Sequence, residues 1–574
     1  MAKLTIDGQS VEVKDGATIL DAAKVLNIKI PTLCYHPDQA VKANCRICVV
    51  EVEGQRLLVP SCSYPVSDGM VVKTNTARVR KARMNILELI FSHHSKNCLE
   101  CDRNGNCELQ TIAADMHFNR DLRYPLELRG NGKDMSSPSI TRDPSKCIVC
   151  NRCVVACNEV QTVFALNKEN RGFKSVVTPV FGKSLIDTVC ISCGQCVQAC
   201  PVGALVVHDD REPVWKMIEG NEKEVVAQIA PAVRITIAEA LGEDPGVVST
   251  GRLVTAMKRV GFDKVFDTNV TADLTIMEEG TEFITRVTTG GTLPMITSCS
   301  PGWINFCETY YPELLDNLSS CKSPQGMFGA LIKTFYAQKT GKDPQDIYSV
   351  SIMPCTAKKF EAKRPELATN GNPDIDAVLT VQELARMIEQ CGISFKDLPE
   401  TDFDDPFGLG SGAGVIFGAT GGVMEAALRS VYEIITKEEL QDINFTAVRG
   451  FEGVKEATIP VGDLIVKVAV AHGTGNARKL MDAVRDGKAE YHFIEIMACP
   501  GGCIGGGGNP IKNWAKMQLR FDAVYQADID LPIRKSHKNP VVSELYKDFL
   551  GEPNSHKSHE LLHTTYSDRS YLLK

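Results

Sequence analysis

Two runs of the chain repeat one spacing of cysteine. Cys147, Cys150, Cys153 and Cys157 stand as C-x2-C-x2-C-x3-C; Cys190, Cys193, Cys196 and Cys200 repeat it, followed by Pro201. Thiolates at this spacing hold 4Fe–4S cubanes, the fourth cysteine of each run serving the other run's cluster. Cys200 is therefore expected beside Cys147, Cys150 and Cys153, and Cys157 beside Cys190, Cys193 and Cys196. The first run ends in Asn158 in place of proline, a minor departure. Zinc is the competing use of paired cysteines, and two complete runs argue against it. Upstream, His94, Cys98, Cys101 and Cys107 offer one imidazole and three thiolates. That set suits zinc or a 4Fe–4S cluster, and its place among iron–sulfur motifs favours the cluster. His93 is expected to be a solvated neighbour. Nearest the N-terminus, Cys34, Cys45, Cys48 and Cys62 enclose a C-x2-C pair, a set that suits a 2Fe–2S centre. The ten-residue first gap departs from the strict C-x4-C-x2-C opening, and structural zinc is the plainer alternative.

The elements around these cysteines read as small modules. KLTIDGQSVEV alternates apolar and polar residues about Asp7-Gly8, a type I′ hairpin signal. TILDAAKVLN follows as a helix, and CVVEVEGQRLLVPSC as a second hairpin-like run. A division into small α+β iron–sulfur domains follows. Residues 1–78 read as a plant-ferredoxin-like (β-grasp) 2Fe–2S domain and 79–125 as a 4Fe–4S domain on one histidine and three cysteines. Residues 126–209 read as a bacterial-ferredoxin-like domain with two 4Fe–4S clusters. Four clusters in series make an electron wire, and its terminus must lie in 210–574.

That last region alternates strand-like and helix-like segments, an α/β order. EVVAQIAP leads into AVRITIAEALG, LPMIT into TSCSPGW, YSVSIMP into CTAKKFEAK, and HFIEIM into ACPGGCIGGGG. AVLT leads into a helix with Thr380 and Glu383 as a capping box and Gly392 as its stop. INFCETYYPELL reads as amphipathic. Sites in α/β folds lie beyond the carboxyl ends of strands, where Cys299, Cys355 and Cys499 fall, with Cys503 one turn later. Met353 and Met497 each precede such a cysteine by two residues, as soft side chains facing one centre would; ordinary core packing is the favoured reading of the residues alone. Gly501, Gly502 and Gly505 to Gly508 permit positive φ and close backbone approach. GLGSGAG lacks the acidic residue and βαβ context of a dinucleotide site.

Composition narrows the class. The 574 residues carry 22 cysteines and a net charge of −8. Acidity argues against nucleic acid as the main partner. No run of 18 apolar residues exists to span a membrane, and the N-terminus has no secretory pattern. A cytoplasmic location is expected, where thiols stay reduced and cysteine clusters bind metal.

TSCSPGW, IMPCTAKKFEAKRPE and EIMACPGGCIGGGG together resemble, in order and spacing, the active-site signatures of the iron-only (FeFe) hydrogenases. The cluster series resembles the clostridial-type monomeric members, so the similarity covers nearly the whole chain. The resemblance implies an H-cluster, a 4Fe–4S cluster bridged to a diiron subcluster bearing CO, CN and azadithiolate. It gives Cys355, Cys499 and Cys503 as ligands with Cys503 as the bridge. Lys358, Ser323 and Gln325 are implied beside the diiron unit, and Met353 and Met497 as its packing. The implied activity is reversible, heterolytic interconversion of H2 with protons and electrons.

One motif departs from the family, which has two adjacent cysteines where this chain has Cys299 and Ser300. The softness of thiolate favours Cys299 as fourth ligand with Ser300 relaying protons, the reading preferred from sequence; family register favours Cys299 as the relay, with Ser300 ligating iron or leaving a site open. Glu279, Glu282, Arg286 and Ser319 match the family's proton path, while a salt-bridged surface helix is the plainer reading of the first three. Cys307, Cys321 and Cys391 match no ligand position and are expected to pack. The favoured electron partner is a soluble ferredoxin, with separate maturation proteins supplying the diiron unit. The alternatives are a catalytic or relay subunit of a multi-subunit NADH-linked hydrogenase with flavin-containing partners, and a non-catalytic H2 sensor or assembly protein.

Overall fold

Asp7 and Gly8 both take positive φ, 49° and 82°, as a type I′ turn requires. They join Ala2–Ile6 to Gln9–Val13 with Leu4 opposite Val11. The computed structural model describes residues 1–118, 123–130, 132–462 and 464–574. This hairpin belongs to a five-stranded N-terminal sheet. The helix Ile19–Val25 packs on it, with Thr18 and Asp21 forming a reciprocal cap.

The C-terminal region holds two four-stranded sheets. One is wholly parallel, ordered Lys264–Asp267, Glu224–Ile229, Ile347–Met353, Ala377–Thr380. Its strands are nearly continuous runs of buried residues, as expected for a sheet covered on both faces. The other is ordered Met295–Ile296, Phe493–Met497, Leu464–His472, Val454–Val461, and only its last pair is antiparallel. That hairpin, 454–472, has no counterpart among the segments expected from sequence, although Val454–Val461 carries an alternating burial pattern.

Thr380 accepts the Glu383 N–H while Glu383 returns to the Thr380 N–H, and Gly392 takes φ 66° beyond the helix Val381–Gln390. The helix Pro301–Tyr310 differs from its amphipathic expectation: every residue from Pro301 to Thr309 is buried. One side packs in a core that joins the second sheet to Val163 and Ile191 of the cluster region. The C-terminal tail covers another, where Arg569 N–H donates to the Glu308 carbonyl. The carboxyl ends of both sheets face one interior space.

Candidate active site

That space is a cavity of about 820 Å³. Ala230, Thr268, Cys299, Ser300, Cys355, Met497 and Cys499 line it, each at or just past a strand's end, with Cys503, Lys358, Gln325 and Met353 among the remainder. The lining is mostly apolar, so charged groups there are poorly hydrated and electrostatic effects are strong.

Polar groups converge on one wall. Lys358 Nζ donates to Ser323 Oγ at 2.6 Å and to Glu361 Oε2 at 2.8 Å. Gln325 Nε2 donates to the same carboxylate at 2.9 Å, leaving its Oε1 without a hydrogen bond. Glu361 was not singled out from sequence, though its place three residues after Lys358 in KKFE was a usable helical signal. Around the rest, glycine brings backbone close. A Cβ on Gly506 would stand 2.2 Å from the Pro354 carbonyl oxygen, and one on Gly502 2.6 Å from Thr420 N. Five donors, Cys299, Ser300, Cys355, Cys499 and Cys503, with an unmatched buried amide oxygen and a cradle closed to side chains, fit a bulky thiolate-bound iron group.

The two adjacent residues of the departing motif line the same cavity in different surroundings. Ser300 Oγ accepts the Ala498 N–H at 3.2 Å, one residue from Cys499. The Cys299 thiol is raised well above its ordinary pKa by burial, then by the charges of Glu279 and Cys503. Glu279 lies on the helix Asn269–Thr289 with Glu282 and Arg286. Burial, then Glu282, pushes its carboxyl up to about 8. Neither Glu279 oxygen completes a normal hydrogen bond, and Ser319 and Ser298 are its nearest polar neighbours. Ser319 Oγ donates to Glu282 Oε2 at 2.9 Å, and Arg286 donates to Glu282 Oε1 at 2.6 Å. Cys321 Sγ lies 3.9 Å from that carboxylate, and Cys307 packs in a core. Cys391 does not pack; it is exposed, capping a helix beyond its last buried turn.

The upstream cysteines gather as their spacing predicts. Cys147, Cys150, Cys153 and Cys200 line one cavity. Cys190 lies within range of the charges of Cys193 and Cys157, and Cys196 of all three. His94, Cys98, Cys101 and Cys107 line another cavity. Cys45 and Cys62 lie within hydrogen-bond reach of Cys34, and Cys62 within reach of Cys48. His93 is buried, not solvated, with Nδ1 2.8 Å from the Glu127 carbonyl.

The cluster region is bolted to the cavity by residues that carry no metal-ligand signature. Thr356 Oγ1 donates to the Ser192 carbonyl at 2.6 Å, and Gln161 Nε2 to the Ala498 carbonyl at 2.8 Å. Gln195 and Gln198 hold the carbonyls of Gly505 and Asn509.

Cysteine-lined modules joined to a thiolate-lined apolar cavity define an iron–sulfur oxidoreductase. Family profiles agree along the chain. They are a 2Fe-2S iron-sulfur cluster binding domain at 1–77, an NADH-ubiquinone oxidoreductase-G iron-sulfur binding region at 83–121 and a 4Fe-4S dicluster domain at 146–211. Iron only hydrogenase large subunit, C-terminal domain, matches 223–507, and iron hydrogenase small subunit 515–569. The chain is 50% identical over 588 aligned positions to the NADP-reducing hydrogenase subunit HndD of Solidesulfovibrio fructosivorans, covering 100% of both. It is 40% identical to iron hydrogenase 1 of Clostridium pasteurianum, over 99% of this chain and 100% of that protein. A solved apo form of the [FeFe]-hydrogenase HydA1 from Chlamydomonas reinhardtii superposes with a TM-score of 0.57 at 43% identity, over 63% of this chain and 99% of that one. The chain belongs to the iron-only hydrogenase family.

Proposed function

We propose that this chain interconverts H2 with two protons and two electrons. The observation that carries this reading is the meeting of Cys299, Ser300, Cys355, Cys499 and Cys503 in one apolar cavity against the cluster region. Cys355, Cys499 and Cys503 would hold the cubane of the H-cluster, with Cys503 shared with its diiron subcluster. When bound, that group supplies heterolytic cleavage of H2.

The chain's own residues position and exchange the proton. Lys358, fixed by Ser323 and Glu361, and Gln325 orient donors toward the cavity. Met353 and Met497 exclude water. The Cys299 thiol lies within the charge of Glu279, whose raised pKa suits a carboxyl that takes and gives a proton near neutrality. Ser319, Glu282 and Arg286 continue the path outward. This placement supports Ser300 as the fourth cubane donor and Cys299 as the proton carrier. Softness alone points the other way, but the thiol feels the charge of Glu279 while the hydroxyl holds the Ala498 N–H.

Four further clusters would complete the wire: one 2Fe–2S on Cys34, Cys45, Cys48 and Cys62; one 4Fe–4S on His94, Cys98, Cys101 and Cys107; and two on the paired runs. The loaded chain would then hold about 20 irons. The matching division is 1–78, 79–125, 126–209 and 210–574. No described helix is long and apolar enough to cross a membrane; we assign a cytoplasmic location with a soluble ferredoxin as carrier and separate maturation proteins. A second reading, work with a nicotinamide-linked, flavin-containing partner subunit, is favoured by the full-length match to an NADP-reducing hydrogenase subunit.

Hydrogen evolution from reduced viologen by the fully matured protein tests the catalytic reading. Activity with infrared bands of iron-bound CO and CN is expected. Absence of turnover in protein showing both the bands and full iron would leave a sensor; absence of the bands after maturation would leave an assembly factor. Size-exclusion of natively purified protein, followed by assay with ferredoxin or NADP, separates the two carriers.

A further inference from the structure

Between the last relay cysteines and the cavity stands a charge that neither site's ligand set includes. Lys512 follows the glycine loop that carries Cys503. Its Nζ donates to Gln195 Oε1 at 2.8 Å and to the Gly505 carbonyl at 3.0 Å. Gln195 lies between Cys193 and Cys196, and Gly505 two residues past Cys503, so one ammonium bridges both ligand loops. Its backbone N–H donates to Gln198 Oε1 at 3.2 Å, fixing the chain there. The stem is half-buried and lines a cavity of about 780 Å³ with His36, Asp38, Gln195 and Trp514.

Both hydrogen-bond partners of the ammonium are neutral. Among the described residues no carboxylate lies within ion-pair distance of it. Burial pushes its pKa down to about 8; Arg520 pushes the same way, while Cys499, Cys193 and Asp38 pull it up. Its Nζ donates only to amide and carbonyl oxygens, the surroundings of an ammonium, and stands partly out of water. A cation fixed in such a site favours whichever neighbouring state is more negative. A thiolate-bound iron–sulfur cluster becomes more negative by one charge on reduction, and hydrogen bonding, net charge and exposure set its potential.

We propose that Lys512 is an electrostatic positioning residue for electron transfer, raising the reduction potentials of the two clusters that flank it. These are the cluster of Cys157, Cys190, Cys193 and Cys196 and the cubane of Cys355, Cys499 and Cys503. The proposal rests on the ligand assignments given under the proposed function. Its ammonium holds an added electron at the junction of the two ligand loops. No metal or catalytic motif marks this position in the chain; the role follows from placement between two sulfur sets.

The test is an EPR-monitored redox titration of the matured holoprotein carrying Lys512→Met or Lys512→Gln, beside Lys512→Arg. Removing the charge is expected to lower the reduced fraction of the two flanking clusters about tenfold at a fixed potential, about 59 mV for a one-electron couple. The remaining clusters shift less than the flanking pair, and arginine restores the flanking ones. K512Q keeps a hydrogen-bonding head, so it separates loss of charge from loss of the bridge. Unchanged potentials in charge-free variants with full iron overturn the proposal, as does an equal shift of every cluster. Iron content and the number of EPR signals in the unmodified protein test the ligand assignments separately.

Discussion

The sulfur of Cys499 lies 3.9 Å from the carbonyl oxygen of Cys193, across 306 positions of sequence. The loop of Cys193 thus touches the loop of Cys499, which lines the cavity. The same seam is closed by Thr356 on the Ser192 carbonyl and by Gln161 on the Ala498 carbonyl. Under the proposed ligand assignments electrons would cross at this seam, which side-chain to backbone hydrogen bonds hold together.

That junction separates two activities. Cys193→Ser replaces a soft ligand by a harder one on the relay side, at a residue that also borders the cavity, and leaves Cys299, Ser300, Cys355, Cys499 and Cys503 unchanged. Turnover with ferredoxin or viologen is expected to fall about tenfold or more, as for an interaction needed in every cycle. Exchange of D2 with solvent protons needs no external electron and stays near the unmodified rate. Mass-spectrometric exchange beside a viologen assay reads both; equal loss of the two would place Cys193 in the catalytic chemistry itself.

Glu279 sets a pH signature. Its carboxyl, pushed up to about 8 by burial, keeps its proton in the folded chain where the unfolded chain, with a pKa of about 4.3, has lost it. The folded state then binds more protons than the unfolded between those values, so this group's contribution to stability falls as pH rises through that window and levels off above about 8. Glu279→Gln has no such dependence. Its unfolding midpoint, relative to the unmodified protein at matched iron content, is expected to climb from about pH 5 to about pH 8 and then hold. Turnover of the same variant falls by about 10² or more, the usual cost of removing a positioned proton carrier.

Much of this arrangement was legible in the chain. Cysteine spacing gives the crossed pairing of Cys157 and Cys200, because a short motif fixes which thiolates can face one centre. The strand-then-cysteine order of Met353-Pro354-Cys355 and Met497-Ala498-Cys499 gives the cavity's rim, because α/β sites form at strand ends. The i, i+4 spacing of Glu282 and Arg286 gives their ion pair. What was not legible depends on long-range contact. The seam residues Gln161, Gln195, Gln198 and Thr356 are ordinary polar residues, and only docking of two regions gives each a buried carbonyl to hold. His93 is solvated by any local reading, and the segment supplying the Glu127 carbonyl buries it. Division of the C-terminal region into two sheets escapes periodicity, which reports strands and not their partners.

Cys299 and Ser300 are separable by metal content. Cys299→Ala removes the thiol beside Glu279 and leaves Ser300 at the Ala498 N–H. It is expected to keep full iron and an unaltered cubane EPR signal while turnover falls by about 10² or more. Ser300→Ala is expected to alter or lose the cubane signal, and Ser300→Cys to retain it. Iron loss in Cys299→Ala with normal iron in Ser300→Ala would exchange the two roles.

Lys358 and Glu361 form a buried ion pair whose two halves serve different ends. The carboxylate accepts from Lys358 at 2.8 Å and from Gln325 at 2.9 Å, and both pair members are nearly sequestered, with side-chain exposures of 10% and 8%. Lys358→Met leaves Glu361 charged with only an amide donor, and stranding one member of a buried pair costs about 3–5 kcal/mol. Lys358→Met/Glu361→Gln removes the stranded charge and keeps a hydrogen-bonding partner for Gln325, so most of that loss should return in chemical unfolding of the cluster-loaded protein. Neither variant restores the ammonium at Ser323 Oγ, so both should bind the diiron unit poorly. Infrared bands of CO and CN stay weak in the double variant even where its unfolding midpoint recovers. Recovery of both together would reduce Lys358 to a structural counter-ion, whereas recovery of stability alone assigns its ammonium to the cavity.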